Sequence, residues 1–186
     1  RLFPDQKLVL VCRRESAALA SLNQFLDDVL PFDLSRARWF SPYRWWVLYK
    51  TRAFRPSVAI YSSFHRMQLG DELTLLSGAQ KTIAFSGNDE CIHPLMRLKN
   101  STLYSVVVET ADHRPEAERY GLLLQVLGAS NSAVHGDMEG VRIWLEGLTG
   151  GFDDLQVRRP YIVIGPGGSA AIRRWNPLRF SVLADA

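Results

Sequence analysis

Four short apolar runs limit this chain more than any other feature: LVLVC at 8–12, VAIY at 58–61, TIAF at 82–85 and YIVI at 161–164. Each has the length of a strand buried on both faces, without the alternation that marks a strand with one wet face. Helical spacing of apolar residues fills the intervals, at 15–25, 41–54, 67–76, 115–127 and, more briefly, 141–148. Gly78 and Gly128 stand where helices stop, Pro115 suits a first turn, and 103–109 reads as extended. Strands alternating with helices imply β-α-β units, and so an α/β fold with a parallel sheet covered on both faces.

Composition narrows the class of protein. With 186 residues, 47% of them hydrophobic, the chain can bury a true core. Lys and Arg number 22 against 19 Asp and Glu, an excess too slight to imply nucleic acid as a partner. Cys12 and Cys91 are far apart and match no metal-ligand spacing, so neither a disulfide framework nor a zinc site is expected. His93 and His135 join no ligand pattern, and no metal or cofactor is expected. No apolar run approaches the roughly eighteen residues of a membrane span, and no signal-peptide pattern opens the chain. The expectation is a soluble, cytoplasmic protein in a reducing compartment, in which the Asn100-Ser101-Thr102 sequon is fortuitous. The start at Arg1, close to a strand pattern, and the stop within a helical pattern at 178–186 lead us to expect a fragment of a longer chain.

The richest local signal follows the YIVI run. Gly165-Pro166-Gly167-Gly168-Ser169 leads through Arg173-Arg174-Trp175 to Asn176-Pro177, a capping residue and a first-turn proline. Glycines allow close backbone approach to a phosphate, Ser169 can donate a hydroxyl hydrogen bond, and Arg173 or Arg174 can add charge-assisted ones near a helix N-terminus. A glycine-rich strand-to-helix turn is also an ordinary steric solution. The delayed helix start argues against a dinucleotide fingerprint at Gly165, Gly167 and Ala170, and against a nucleophile elbow at Ser169. No histidine follows Ser169, as that hydrolase order requires.

The segment YIVIGPGGSAAIRRWNPLRFSVLA resembles the opening of the second domain in glycosyltransferase family 9, the heptosyltransferase-like enzymes, where a strand, a small-residue loop and Lys-x-Trp-Pro precede a helix. Residues 54–85 are similar to that family's strand, arginine-bearing turn, small-residue helix and Gly-Phe strand, and 113–128 to the helix closing its first domain. The resemblance implies a GT-B architecture of two Rossmann-like domains. Residues 1–157 would be the acceptor-side domain without its first β-α unit, and 158–186 the start of the donor-side domain. It further implies an inverting transfer of a sugar, such as heptose, from a nucleotide-diphosphate donor to a bacterial envelope glycan or glycolipid, as in lipopolysaccharide biosynthesis. Gly167, Gly168, Ser169, Arg173 and Trp175 carry over as donor and phosphate contacts. Arg173 stands where the family has lysine, and Asn176 separates Trp175 from Pro177. The implied catalytic aspartate belongs to a Gly-Asp loop upstream of Arg1. Gly70-Asp71 looks similar but falls within a helical pattern, and Asp71 reads as a surface residue.

His65 and Arg66 follow the VAIY strand at the edge where open α/β sheets bind ligands, which makes them acceptor-side candidates; the plainer reading is an ordinary surface loop. His113, Glu116 and Glu118 suit a helix start. Between Arg36 and Arg55, six basic residues interleave with seven aromatics. The favoured reading is a helix with an aromatic core face and a solvated basic face; the alternative is peripheral contact with the inner membrane. Two rival functions stand beside transfer: a noncatalytic nucleotide- or glycan-binding module, and an acyl hydrolase using Ser169.

Overall fold

The computed structural model describes residues 5–129. All lie in the first of the chain's two units, Arg1–Leu145, and the second, Glu146–Ala186, falls outside them. Five strands alternate with five helices: β1 (Val9–Arg13), α1 (Arg14–Ser21), β2 (Asp28–Phe32), α2 (Pro42–Ala53), β3 (Val58–Tyr61), α3 (Gln68–Leu75), β4 (Lys81–Phe85), α4 (Pro94–Ser101), β5 (Val106–Val108) and α5 (Glu116–Val126). Every ladder is parallel. β1 pairs with β2 from Val9 opposite Asp28 to Arg13 opposite Phe32. β4 lies between β3 and β5, with Ile60 and Val106 both opposite Ile83. The α/β class and parallel pairing expected from the runs at 8–12, 58–61 and 82–85 are present; the run at 161–164 and the helical patterns at 141–148 and 178–186 lie outside the described residues.

Two elements lack the signals used above. β2 reads DVLPF, and Pro31 removes a ladder donor, which restricts it to an edge. α4 spans only eight residues and leaves Leu95 and Leu98 exposed; it begins because the His93 side chain accepts the Leu95 amide and Pro94 supplies a preset first turn. In α2, the Ser41 hydroxyl accepts the Arg44 amide at 3.0 Å with Pro42 at the first position, so this start is locally encoded.

Burial follows sheet position. Ile83, Ala84 and Phe85 of central β4 are at most 1% exposed, and burying Ile83 or Phe85 contributes roughly 1.5–3 kcal/mol each. Phe64, Ile83, Phe85, Val108 and Leu123 form one core cluster, which places α5 over that face of the sheet. A second cluster joins Val47 and Leu48 of α2 to Leu69 and Leu73 of α3, with Val11 and Phe32 packed against it. This cluster connects the β1-β2 pair to the helices around β3-β4-β5. Side chains tie the pairs at both ends: Ser57 Oγ donates to Gln6 Oε1 at 3.2 Å before the strands, and Arg13 Nη2 to Met67 Sδ at 3.4 Å after them.

Candidate functional site

The carboxyl ends of β3, β4 and β5 bring three loops together. His65 comes from the first, Asn88 and Glu90 from the second, and Asp112 from the third. His65 Nδ1 lies 3.3 Å from Asn88 Oδ1 and 3.2 Å from Glu90 Oε2, with the His65 side chain 48% exposed and that of Glu90 65%. Asn88 Nδ2 in turn donates to Asp112 Oδ2 at 3.5 Å. The result is an open polar edge with two carboxylates, an amide and an imidazole, groups that recognise hydroxyl-rich ligands by hydrogen bonding. Open parallel sheets hold ligands at this edge.

Behind it, Arg97 fixes the β4 loop by donating to Asp89 Oδ1 at 2.6 Å and to the Ser86 carbonyl at 3.1 Å. Arg119 of α5 crosses the loop after β3, its guanidinium 4.5 Å from the Phe64 ring centroid. Among the described residues, its Nε and Nη1 and the Thr110 hydroxyl are buried without a hydrogen-bond partner. Leaving such donors unmatched costs about 1–3 kcal/mol each, more for a charged group. Functional sites commonly carry that cost.

Beneath the edge lies a closed polar centre that sequence reasoning missed. Asp71 has no exposed surface, so the expectation of a surface residue is overturned. Its Oδ1 accepts from Arg66 Nε and Tyr104 Oη, both at 2.9 Å, and its Oδ2 from Arg66 Nη2 and Asn100 Nδ2, both at 2.8 Å. A carboxylate has about four acceptor positions, and all four are filled, which leaves no lone pair to take a proton from a substrate. Asp71 is a structural anchor. Burial, then the charge of Asp71 beside it, pushes the Tyr104 phenol far above its ordinary value. Tyr61 is also raised, chiefly by burial, although the Met67 amide that its oxygen accepts pulls the other way. Gly70 is required here because a Cβ would overlap the Tyr61 ring.

The sequence pair His65-Arg66 therefore divides. His65 is at the polar edge. Arg66 is completely buried; beyond its two bonds to Asp71 it donates to Ser101 Oγ at 2.8 Å and the Phe85 carbonyl at 3.4 Å, and its guanidinium lies 5.0 Å from the Tyr104 ring centroid. It supports the edge from below. Gly87 joins the two levels: it adopts φ +72°, and a Cβ there would stand 2.8 Å from Arg66 Cδ and 3.0 Å from the Phe64 carbonyl.

Of the favoured reading of the aromatic-basic stretch, the solvated basic face holds at Lys50 and Arg52, but the aromatic core face does not. The buried stripe of α2 is Arg44, Val47, Leu48 and Thr51, whereas Trp45, Trp46 and Tyr49 are exposed. Arg44 faces inward because Glu72 of α3 pairs with it, Nε to Oε2 at 2.8 Å, and its Nη1 reaches the Ala37 carbonyl. Gly167, Gly168, Ser169, Arg173 and Trp175 lie outside the described residues. No cluster of three or more metal-ligating side chains occurs among the described residues, and none of the described helices is long and apolar enough to cross a membrane. Compared with known proteins, the chain matches no family model, no curated protein and no solved structure.

Proposed function

We propose that this chain belongs to an inverting, two-domain nucleotide-sugar glycosyltransferase of the GT-B kind, acting in the cytoplasm on a bacterial envelope glycan or glycolipid. The carrying observation is the strand arrangement. β1-β2 and β3-β4-β5 form two ladders, each parallel, and their strands alternate with helices along the chain. Parallel strands alternating with helices are compatible with a Rossmann-like fragment, a class that holds ligands at the carboxyl ends of its strands.

On this reading the His65, Asn88, Glu90 and Asp112 edge receives the hydroxyl-bearing acceptor. The loop at Gly167, Gly168 and Ser169 with Arg173 receives the donor diphosphate, and an aspartate outside this chain removes the acceptor proton as the sugar-phosphate bond breaks. No metal is required if backbone amides and Arg173 balance the departing diphosphate.

Calorimetry with ADP and UDP on the full-length protein, wild type against Arg173→Ala, is the direct test. Binding of one nucleotide, weakened at least tenfold by the substitution, is expected for loss of a charge-assisted contact. No binding of either nucleotide would defeat the reading, and an unchanged affinity in the variant would remove Arg173 from the site.

A further inference from the structure

From the outer face of α2 and the loop before it, we infer a docking surface for an anionic lipid bilayer. Five large aromatics stand exposed there: Trp39 at 57%, Phe40 at 80%, Trp45 at 61%, Trp46 at 44% and Tyr49 at 69%. Phe40 holds φ +63°, a left-handed conformation that disfavours a bulky residue, yet its ring is the most exposed of the five. At 100° per residue, Trp45, Trp46, Tyr49 and Arg52 occupy one side of α2, opposite the buried stripe of Arg44, Val47, Leu48 and Thr51. The helix is amphipathic, with aromatic rings and cations on its outward side.

Charge selects the occupant. No Asp or Glu occurs between Asp33 and Asp71, while Arg36, Arg38, Lys50, Arg52 and Arg55 are all exposed. The other two cations of that interval face inward, Arg44 neutralised by Glu72 and Arg66 by Asp71. Placing Lys50 and Arg52 at the C-terminus of α2 complements the helix dipole, but the dipole explains neither the arginines before the helix nor the exposed rings. Cation-π contacts hold the array together, with the Arg36 guanidinium 4.5 Å from the Tyr43 centroid and the Lys50 ammonium 5.8 Å from that of Trp46. Tryptophans that bury into an acyl boundary beside cations that meet phosphates are the interfacial-helix arrangement; protein interface cores are instead depleted in lysine.

An open cleft of about 630 Å³ continues the surface beyond Tyr49, lined by Arg52, Arg55, Ser57, Ser77 and Gln80 among others. Two guanidinium groups beside the exposed Gln80 amide suit the phosphate of a lipid headgroup. The inference is independent of the glycosyltransferase reading: this face would hold the chain at a bilayer whatever reaction the sheet edge serves.

Flotation of the 186-residue chain with phosphatidylcholine vesicles, with and without about one-third phosphatidylglycerol, tests it. Binding is expected only to the anionic vesicles, falling as salt is raised. Trp45→Ser with Trp46→Ser should weaken partitioning about tenfold or more, through lost apolar burial. Lys50→Gln, Arg52→Gln and Arg55→Gln together should weaken it about a hundredfold, near fivefold per charge. Both sets alter exposed side chains, and unchanged circular dichroism would verify folding. Absence of binding to anionic vesicles overturns the inference. So does loss of binding in the charge variant alone, with the Trp variant unaffected, which would point to a polyanion such as nucleic acid instead.

Discussion

His65 and Arg66 are adjacent in the chain and have opposite surroundings. His65 is half exposed, touching Asn88 and the exposed Glu90, whereas Arg66 has no accessible surface and lies against Asp71 with both side chains at 0%. One peptide bond separates a site from its foundation. The difference teaches that a charged residue at the carboxyl edge of a parallel strand need not face ligand, because the helix after the strand can fold its own carboxylate over it. The sharpest way to break that contrast is Asp71→Ala, which strands a buried guanidinium. We expect a loss of about 3–5 kcal/mol in urea unfolding, enough to unfold a domain of ordinary stability at physiological temperature. The pair Arg66→Met with Asp71→Leu should recover part of that loss. A double variant as damaged as the sum of the two single ones would show that the pair is not coupled.

Gly87→Ala strikes the junction between the two levels. Alanine at φ +72° would be strained, and its Cβ would press on Arg66 and on the Phe64 carbonyl, so a loss of about 1–3 kcal/mol is expected. A neutral result in thermal melts would mean that Arg66 can shift. A smaller effect should appear at high pH. Burial, reinforced by Asp71, raises the Tyr104 phenol in the folded chain above its unfolded value. The associated stability is therefore intact below about pH 10 and is lost progressively as pH rises beyond it. Tyr104→Phe should lower stability at neutral pH, through the missing bond to Asp71 Oδ1, but flatten the alkaline decline. Equal slopes for both proteins would exclude Tyr104 as the responsible group.

Legibility in the sequence tracked how local each cause was. VAIY and TIAF are visible as strands because each is an uninterrupted apolar run of strand length, nearly all of it buried in β4, and α2 is visible because Ser41-Pro42 caps it and its residues repeat at helical spacing. β2 was hidden by Pro31, which a strand tolerates only at an edge, and the edge exists only once the sheet is assembled. The Asp71 anchor was hidden for a different reason. Its partners Arg66, Asn100 and Tyr104 come from separate elements up to 33 residues away, and nothing near Gly70-Asp71 announces them. The orientation of α2 failed for the same cause: helical spacing divides the faces correctly, but Glu72, 28 residues distant, decides that the Arg44 side turns inward. Of the polar edge, only His65 was marked beforehand; Asn88, Glu90 and Asp112 sit in loops whose convergence depends on the β3-β4-β5 order.

The smallest expected effect on folding belongs to the edge itself, and it sharpens the contrast most. His65→Ala and Glu90→Gln remove exposed groups whose mutual contact is wet, and exposed ion pairs contribute about 0–1 kcal/mol. Unfolding midpoints should therefore move by less than about 0.5 kcal/mol in free-energy terms. On the proposed reading, binding of a hydroxyl-rich acceptor glycan by the full-length protein should fall in both variants, since His65→Ala removes a hydrogen-bonding group from the edge and Glu90→Gln replaces a charged acceptor by a neutral amide. Stability loss as large as that of Asp71→Ala would make His65 part of the foundation after all. Intact stability together with unchanged glycan binding would move the acceptor away from this edge, leaving Arg119, with its two unmatched buried nitrogens, as the next group to substitute.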